Sequence, residues 1–165
     1  MSKLISTHLT INAHLEDVWE TLTDLAGYSE WNPFITAAAG PLSVGERLDL
    51  TIQPPGGRAM TVKPWITAVE PHHYLEWLGR LGMPGIFDGR HSFTLTPMSE
   101  GSTLVQQSET FTGVLIPFTG RILARTRAGF VSMNRALAQR TMPPPGLGRR
   151  PLPGCGSGDM RSCAR

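Results

Sequence analysis

Gly120-Arg-Ile-Leu-Ala-Arg-Thr-Arg-Ala-Gly-Phe-Val-Ser-Met-Asn-Arg-Ala-Leu-Ala-Gln-Arg140 is the stretch on which the fold turns. Ile122, Leu123, Thr126, Phe130, Met133 and Leu137 recur at helical spacing on one face, whereas Arg121, Arg125, Arg127, Arg135 and Arg140 fall mainly elsewhere. A helix of these 21 residues would be about 31 Å long, enough to cross a whole sheet. Gly129 lowers the helix propensity by up to about 1 kcal/mol relative to alanine. It therefore marks either close contact between helix and sheet or room for a ligand.

Working upstream, the period changes from helical to alternating. Strand-like runs occupy about 46–53, 59–70, 73–81, 86–97 and 102–112. Between them stand strong turn signals: Pro54-Pro55-Gly56-Gly57, Glu70-Pro71-His72, Gly82-Met83-Pro84-Gly85 and Met98-Ser99-Glu100-Gly101. Short strands joined by short turns predict an antiparallel meander. A first strand over 3–12 places Leu9 and Ile11 on one side, and a short helix follows with Leu15, Val18, Trp19 and Leu22 at helical spacing. Trp19 and Trp31 read as packing residues of the small helices, and Tyr28 to Phe34 as a proline-bounded corner that caps the sheet.

The 165 residues suit one domain, which at this size buries about 70% of its unfolded surface. The formal charge of +2 misleads, because Arg149, Arg150, Arg161 and Arg165 face only Asp159 beyond residue 140. Of 15 basic and 13 acidic residues, 11 and 12 precede Thr141, so the body is close to neutral. It lacks the dense basic stripe of a nucleic-acid partner. Residues 141–165, rich in proline, glycine and arginine, offer no packed face and are expected to be a disordered tail beyond a domain of residues 1–140. Cys155 and Cys163 both lie in that tail, away from metal-ligand spacing. The first residues lack a signal-peptide run and no stretch is long and apolar enough to span a bilayer, so a cytoplasmic location is expected.

The order of one strand, two short helices, about six strands and a long terminal helix resembles the START/Bet v 1-like (SRPBCC) superfamily, and within it the polyketide cyclase/dehydrase and lipid-transport group. The resemblance covers residues 3–140. It is carried by Ala13-His14-Leu15-Glu16-Asp17-Val18-Trp19, by Trp31-Asn32-Pro33-Phe34, by Leu75-Glu76-Trp77 after Glu70-Pro71, and by Gly101-Ser102-Thr103. It implies an α+β helix-grip fold, a curved antiparallel β-sheet wrapped around the long C-terminal helix, with two short helices between strands one and two. It also implies a hydrophobic cavity for a lipid, polyketide, quinone or similar molecule, often without catalysis. Function has to come from the site, since the fold hosts many activities.

Pairing Met98 with Ser102 across a three-residue turn sets Leu95 opposite Val105, Phe93 opposite Gln107 and His91 opposite Glu109. Because Phe93, Leu95, Val105 and Phe111 are apolar, this face should look inward toward the long helix, with Asp88 and Arg90 on the outside. His91 and Glu109 are then either an acid/base pair in the cavity, with Glu109 orienting the imidazole, or a cross-strand polar pair that ties the sheet together. Trp65, Leu75, Trp77, Phe87, Thr126, Phe130 and Met133 complete the expected cavity wall, the aromatic members doubling as ordinary core. The segment Gly82 to Gly89 reads as a lip over the entrance, carrying Met83, Ile86 and Phe87, or as a tight connector. His72 and His73 are adjacent and diverge on a strand, and neither a phosphate loop nor a Gly-x-Ser-x-Gly elbow occurs, so no metal or cofactor is expected.

The residues favour a binding module that carries or sequesters a hydrophobic molecule, with His91, Gln107 and Glu109 orienting its polar end. The rival is an enzyme of the aromatase, cyclase or dehydratase type in which His91 shuttles protons. A third reading is a chaperone-activator-like protein interaction through the arginine-rich outer face of the terminal helix. Oligomeric state is not encoded in any recognisable pattern.

Overall fold

The computed structural model describes residues 2–99, 101–116 and 119–142, so the expected tail lies outside the described residues from 143 onward. The chain runs β1 (Ser2–Ile11), α1 (Leu15–Thr23), a 3-10 turn (Leu25–Gly27), α2 (Tyr28–Trp31), β2 (Ile35–Ala39), β3 (Asp49–Ile52) and β4 (Met60–Val62). It continues through β5 (Trp65–Glu70), β6 (Tyr74–Leu81), β7 (Phe87–Ser99) and β8 (Ser102–Thr112) to α3 (Gly120–Thr141). Five strands pair in the order β1-β8-β7-β6-β5 and three in the order β2-β3-β4.

The two ladders meet through the chain just before β3. Arg47 bridges Trp65, the Ile66 amide donates to the Glu46 carbonyl at 2.9 Å, and the Leu48 amide donates to the Pro64 carbonyl at 3.0 Å. Pro64 has no amide proton, so a single straight strand through it is interrupted. The run expected over 59–70 is therefore two strands that serve different ladders, and the sheet curves around α3. The five residues of β2, Ile-Thr-Ala-Ala-Ala, escaped the sequence reading because alanine is a poor strand former and the run shows no alternation.

Register in the central hairpin follows the apolar alternation. Leu95 lies opposite Val105, Phe93 opposite Gln107 and His91 opposite Glu109. The turn itself differs from expectation: Ser99, not Met98, pairs with Ser102, and the register shifts between Pro97 and Ser99. Proline cannot donate to the ladder, so the extra residue is absorbed as a bulge beside it.

Along α3 the buried face is Leu123, Thr126, Gly129, Phe130, Met133, Asn134 and Leu137, and it packs chiefly on β1 and α1. Ile122, expected on that face, is instead 52% exposed. Gly129 is explained by the corner before β2. The buried Asn32 accepts there from the amides of Phe34 at 3.0 Å and Ile35 at 2.9 Å. This turn aims the Phe34 ring at α3, where a Cβ on Gly129 would overlap it. The close contact is thus between helix and corner, not helix and sheet.

On the outer face, Glu76 accepts hydrogen bonds from Tyr74 at 2.6 Å, Thr67 at 2.7 Å and Arg90 at 2.6 Å. Burial alone pushes this carboxyl up, but these donors and the Arg90 charge outweigh it and hold it below its ordinary 4.5. A depressed folded-state value contributes stability that is complete above about pH 4.5 and is lost as pH falls through the lower folded value. Glu76→Gln should therefore be less stable than the parent near pH 7. The gap should narrow as pH falls below about 4.5, read as the urea midpoint at each pH; a gap independent of pH would refute the assignment.

Candidate functional site

The inward side chains of β6 and β7 run Leu75, Trp77, Gly79 and Phe93, His91, Gly89 in matched register. Gly79 and Gly89 face each other across the ladder, so the sheet is bare backbone at that point. A Cβ on Gly79 would meet only the Gly89 carbonyl, at 3.8 Å. Large side chains surround this gap: Trp77 and Phe111 from the sheet, Phe34 from the corner, and Leu50, Ile52 and Val62 from the small ladder. The result is a mostly apolar pocket of about 150 Å³. Its mouth is edged by Met60 and Ile122, which are 50% and 52% exposed.

One carboxylate enters this space. Glu109 lies across Gly89, where any larger residue would have placed its side chain. Behind it His91 is 4% exposed and stacked flat on Trp77, with ring centroids 4.6 Å apart and planes 1° from parallel. Phe130 meets the imidazole edge-on at 4.9 Å. His91 Nδ1 stands 3.6 Å from Glu109 Oε2, an ion-pair separation rather than a tight hydrogen bond. The Gln107 amide nitrogen lies 3.3 Å from Nε2 on the other side of the ring. Both imidazole nitrogens face protein side chains, and the side chain with the more open face on the pocket is Glu109, 17% exposed against 5% for His91.

Of the residues expected to line the cavity, Trp77, Phe87, His91, Glu109, Phe111 and Thr126 do lie on its surface. Leu75, Phe93, Gln107, Phe130 and Met133 are fully buried and do not line this pocket. Trp65 faces the other way, because its neighbour Ile66 takes the inward position. Its ring lies under the Arg47 guanidinium at 3.9 Å and near that of Arg80 at 5.6 Å. Gly79 carried no expectation from the sequence and Gly89 figured only as the end of the lip, whereas it lies inside β7; a glycine inside an alternating strand is itself a signal of a bulge or a close approach. Among the described residues no group of three or more His, Cys, Asp or Glu side chains is placed to hold a metal ion.

Comparison with known proteins agrees with this fold. Residues 4–140 match the family described as polyketide cyclase / dehydrase and lipid transport. No curated protein sequence matches the chain. Among solved structures, protein MLL2253 from Mesorhizobium loti is similar at 23% identity with a TM-score of 0.66, over 84% of this chain and 96% of that one. The Zhui aromatase/cyclase from Streptomyces sp. R1128 is similar at 14% identity with a TM-score of 0.69, over 85% and 94%. A START superfamily protein from Mycobacterium smegmatis is similar at 18% identity and 0.65, over 84% and 96%. Identities this low speak for the fold alone, and the curved antiparallel sheet around a long C-terminal helix is the helix-grip arrangement. With five-sixths of its length matched, the chain belongs to the polyketide cyclase / dehydrase and lipid transport family.

Proposed function

We propose that the chain, through a unit spanning residues 1–140, carries or sequesters an apolar small molecule that bears a hydrogen-bond donor. The observation that supports this reading is the Gly79/Gly89 gap, with one carboxylate set into a mostly apolar wall that also includes Arg80, His91 and Thr126. A space of about 150 Å³ is about what accepts a benzene ring in a dry protein cavity. One ring or a short branched chain fits inside, and the remainder of a larger ligand extends through the mouth. Apolar burial at about 25 cal/mol per Å² supplies affinity. An ionised Glu109 is acceptor-only, so it selects a hydroxyl or amine over an ether or a plain hydrocarbon.

p-Cresol and toluene, titrated by ligand-observed NMR, test this directly. Both should bind, and p-cresol more tightly. Glu109→Gln should weaken p-cresol roughly tenfold, the difference between a charge-assisted and a neutral hydrogen bond, while leaving toluene unchanged. Absence of binding by either compound would reject the pocket as a ligand site.

A second reading, a cyclase- or dehydratase-type enzyme, is favoured by the same carboxylate. In that case the geometry supports a division of labour opposite to the one first expected: Glu109, the more exposed of the two, meets the substrate as the base, and His91, buried behind it, orients it.

A further inference from the structure

We propose that the rim of the pocket mouth docks on an anionic lipid surface, with apolar loop tips entering the headgroup layer and α3 arginines meeting the phosphates. Two connections form this rim together. The β6–β7 loop and the segment after β8 are tied by hydrogen bonds from the Val114 amide to the Gly85 carbonyl at 3.1 Å and from the Leu115 amide to the Ile86 carbonyl at 3.3 Å. Gly113, at φ 135°, lets the backbone pass directly against Ile86.

Locked in this way, the two connections present Met83 at 70% exposure, Val114 at 71% and Leu115 at 43%. Phe87, next in line, already lines the pocket, and so does the half-exposed Ile122 in the first turn of α3. Large apolar side chains exposed together beside a ligand entrance mark an interaction surface.

Charge indicates the partner. From Thr110 to Met142 the chain contains five arginines and no Asp or Glu. Arg140 pairs with Glu30 at 2.7 Å, whereas Arg121, Arg125 and Arg127, all exposed, have no ion pair among the described residues. Basic side chains flanking separate apolar tips fit a lipid interface, which accepts both at once. A nucleic acid would need the arginines but not the tips, and the tips come from separate connections instead of framing a groove for a peptide. No helix of the described residues is long and apolar enough to cross a membrane, so the contact is superficial. Resting on the binding function proposed above, the docked rim would let an apolar ligand enter from the bilayer without crossing water.

The test is sedimentation of the full chain with vesicles of phosphatidylglycerol and phosphatidylcholine, or of phosphatidylcholine alone. The chain should sediment with the anionic vesicles only, and less as salt rises. Arg121→Gln with Arg125→Gln should weaken the partition roughly fivefold per arginine. Met83→Ser with Val114→Ser and Leu115→Ser should weaken it at least about tenfold, with p-cresol binding and melting temperature unchanged. No sedimentation with anionic vesicles would overturn the proposal. So would retention by the tip variant, which would point to a nucleic acid or an acidic protein, and so would retention by the arginine variant. Gly79→Leu, which closes the pocket, should still sediment, so failure of the docking surface and failure of the ligand site give different results.

Discussion

Gly79→Leu is expected to abolish p-cresol and toluene binding while leaving the chain at least as stable as its parent. The gap on the concave face exists because two glycines stand side by side in the β6–β7 register, and of the two only Gly79 has open space above it. An isobutyl group at this position enters the pocket of about 150 Å³ without displacing backbone. It gains the contacts that a ligand would have made. Full burial of a leucine stabilises by about 1.5–3 kcal/mol, and replacing glycine within a strand removes an entropic penalty, so both effects favour folding. Gly89→Ala makes a less clean probe, since its Cβ would overlap the Glu109 carboxylate and move the polar group as well. A stable Gly79→Leu variant that still binds p-cresol with parental affinity would place the ligand elsewhere.

Much of this architecture was legible in alternation. The inward face of the central hairpin, and with it the meeting of His91 and Glu109, followed from Phe93, Leu95, Val105 and Phe111 alone, because a strand's two-residue period admits no partial answer. The helical stripe from Leu123 to Leu137 was equally plain, apart from Ile122, which a small rotation of the first turn moves to the mouth. What alternation cannot convey is how far two inward faces stand apart. Phe93, Phe130 and Met133 have the same pattern as Trp77 and Phe111, yet the first three close a core and the last two border a space. Which of these happens depends on the smallest residues, Gly79 and Gly89, and on the bend at Pro64 that brings Leu50 and Val62 across the opening. The small ladder itself was hidden in an alanine-rich strand. The roles of His91 and Glu109 were likewise undetermined in the sequence, since only the folded chain shows which of the two is the more exposed to the pocket.

Gly129→Ala sets two opposing effects against each other in the helix that the fold depends on. In an exposed helix interior the change stabilises by up to about 1 kcal/mol. Here the new methyl group would overlap the ring of Phe34, which is 3% exposed and held edge-on to Phe130 at 5.6 Å. The ring has no simple retreat, because the Asn32 turn pins the Phe34 amide at 3.0 Å. Overpacking of this kind costs about 1–3 kcal/mol, so the clash prevails and the variant should be less stable by up to about 2 kcal/mol. Removing the obstacle should reverse the sign. In a Phe34→Ala background, itself destabilised by about 3–5 kcal/mol, Gly129→Ala should become stabilising, and the double-mutant cycle should report a coupling of about 1–3 kcal/mol. Because Phe34 also walls the pocket, Gly129→Ala in the parent should shift the ring toward the cavity and weaken toluene binding. Urea midpoints for the four chains decide the matter. A Gly129→Ala chain more stable than the parent, with no coupling to Phe34, would mean that the corner does not rest on the helix as described.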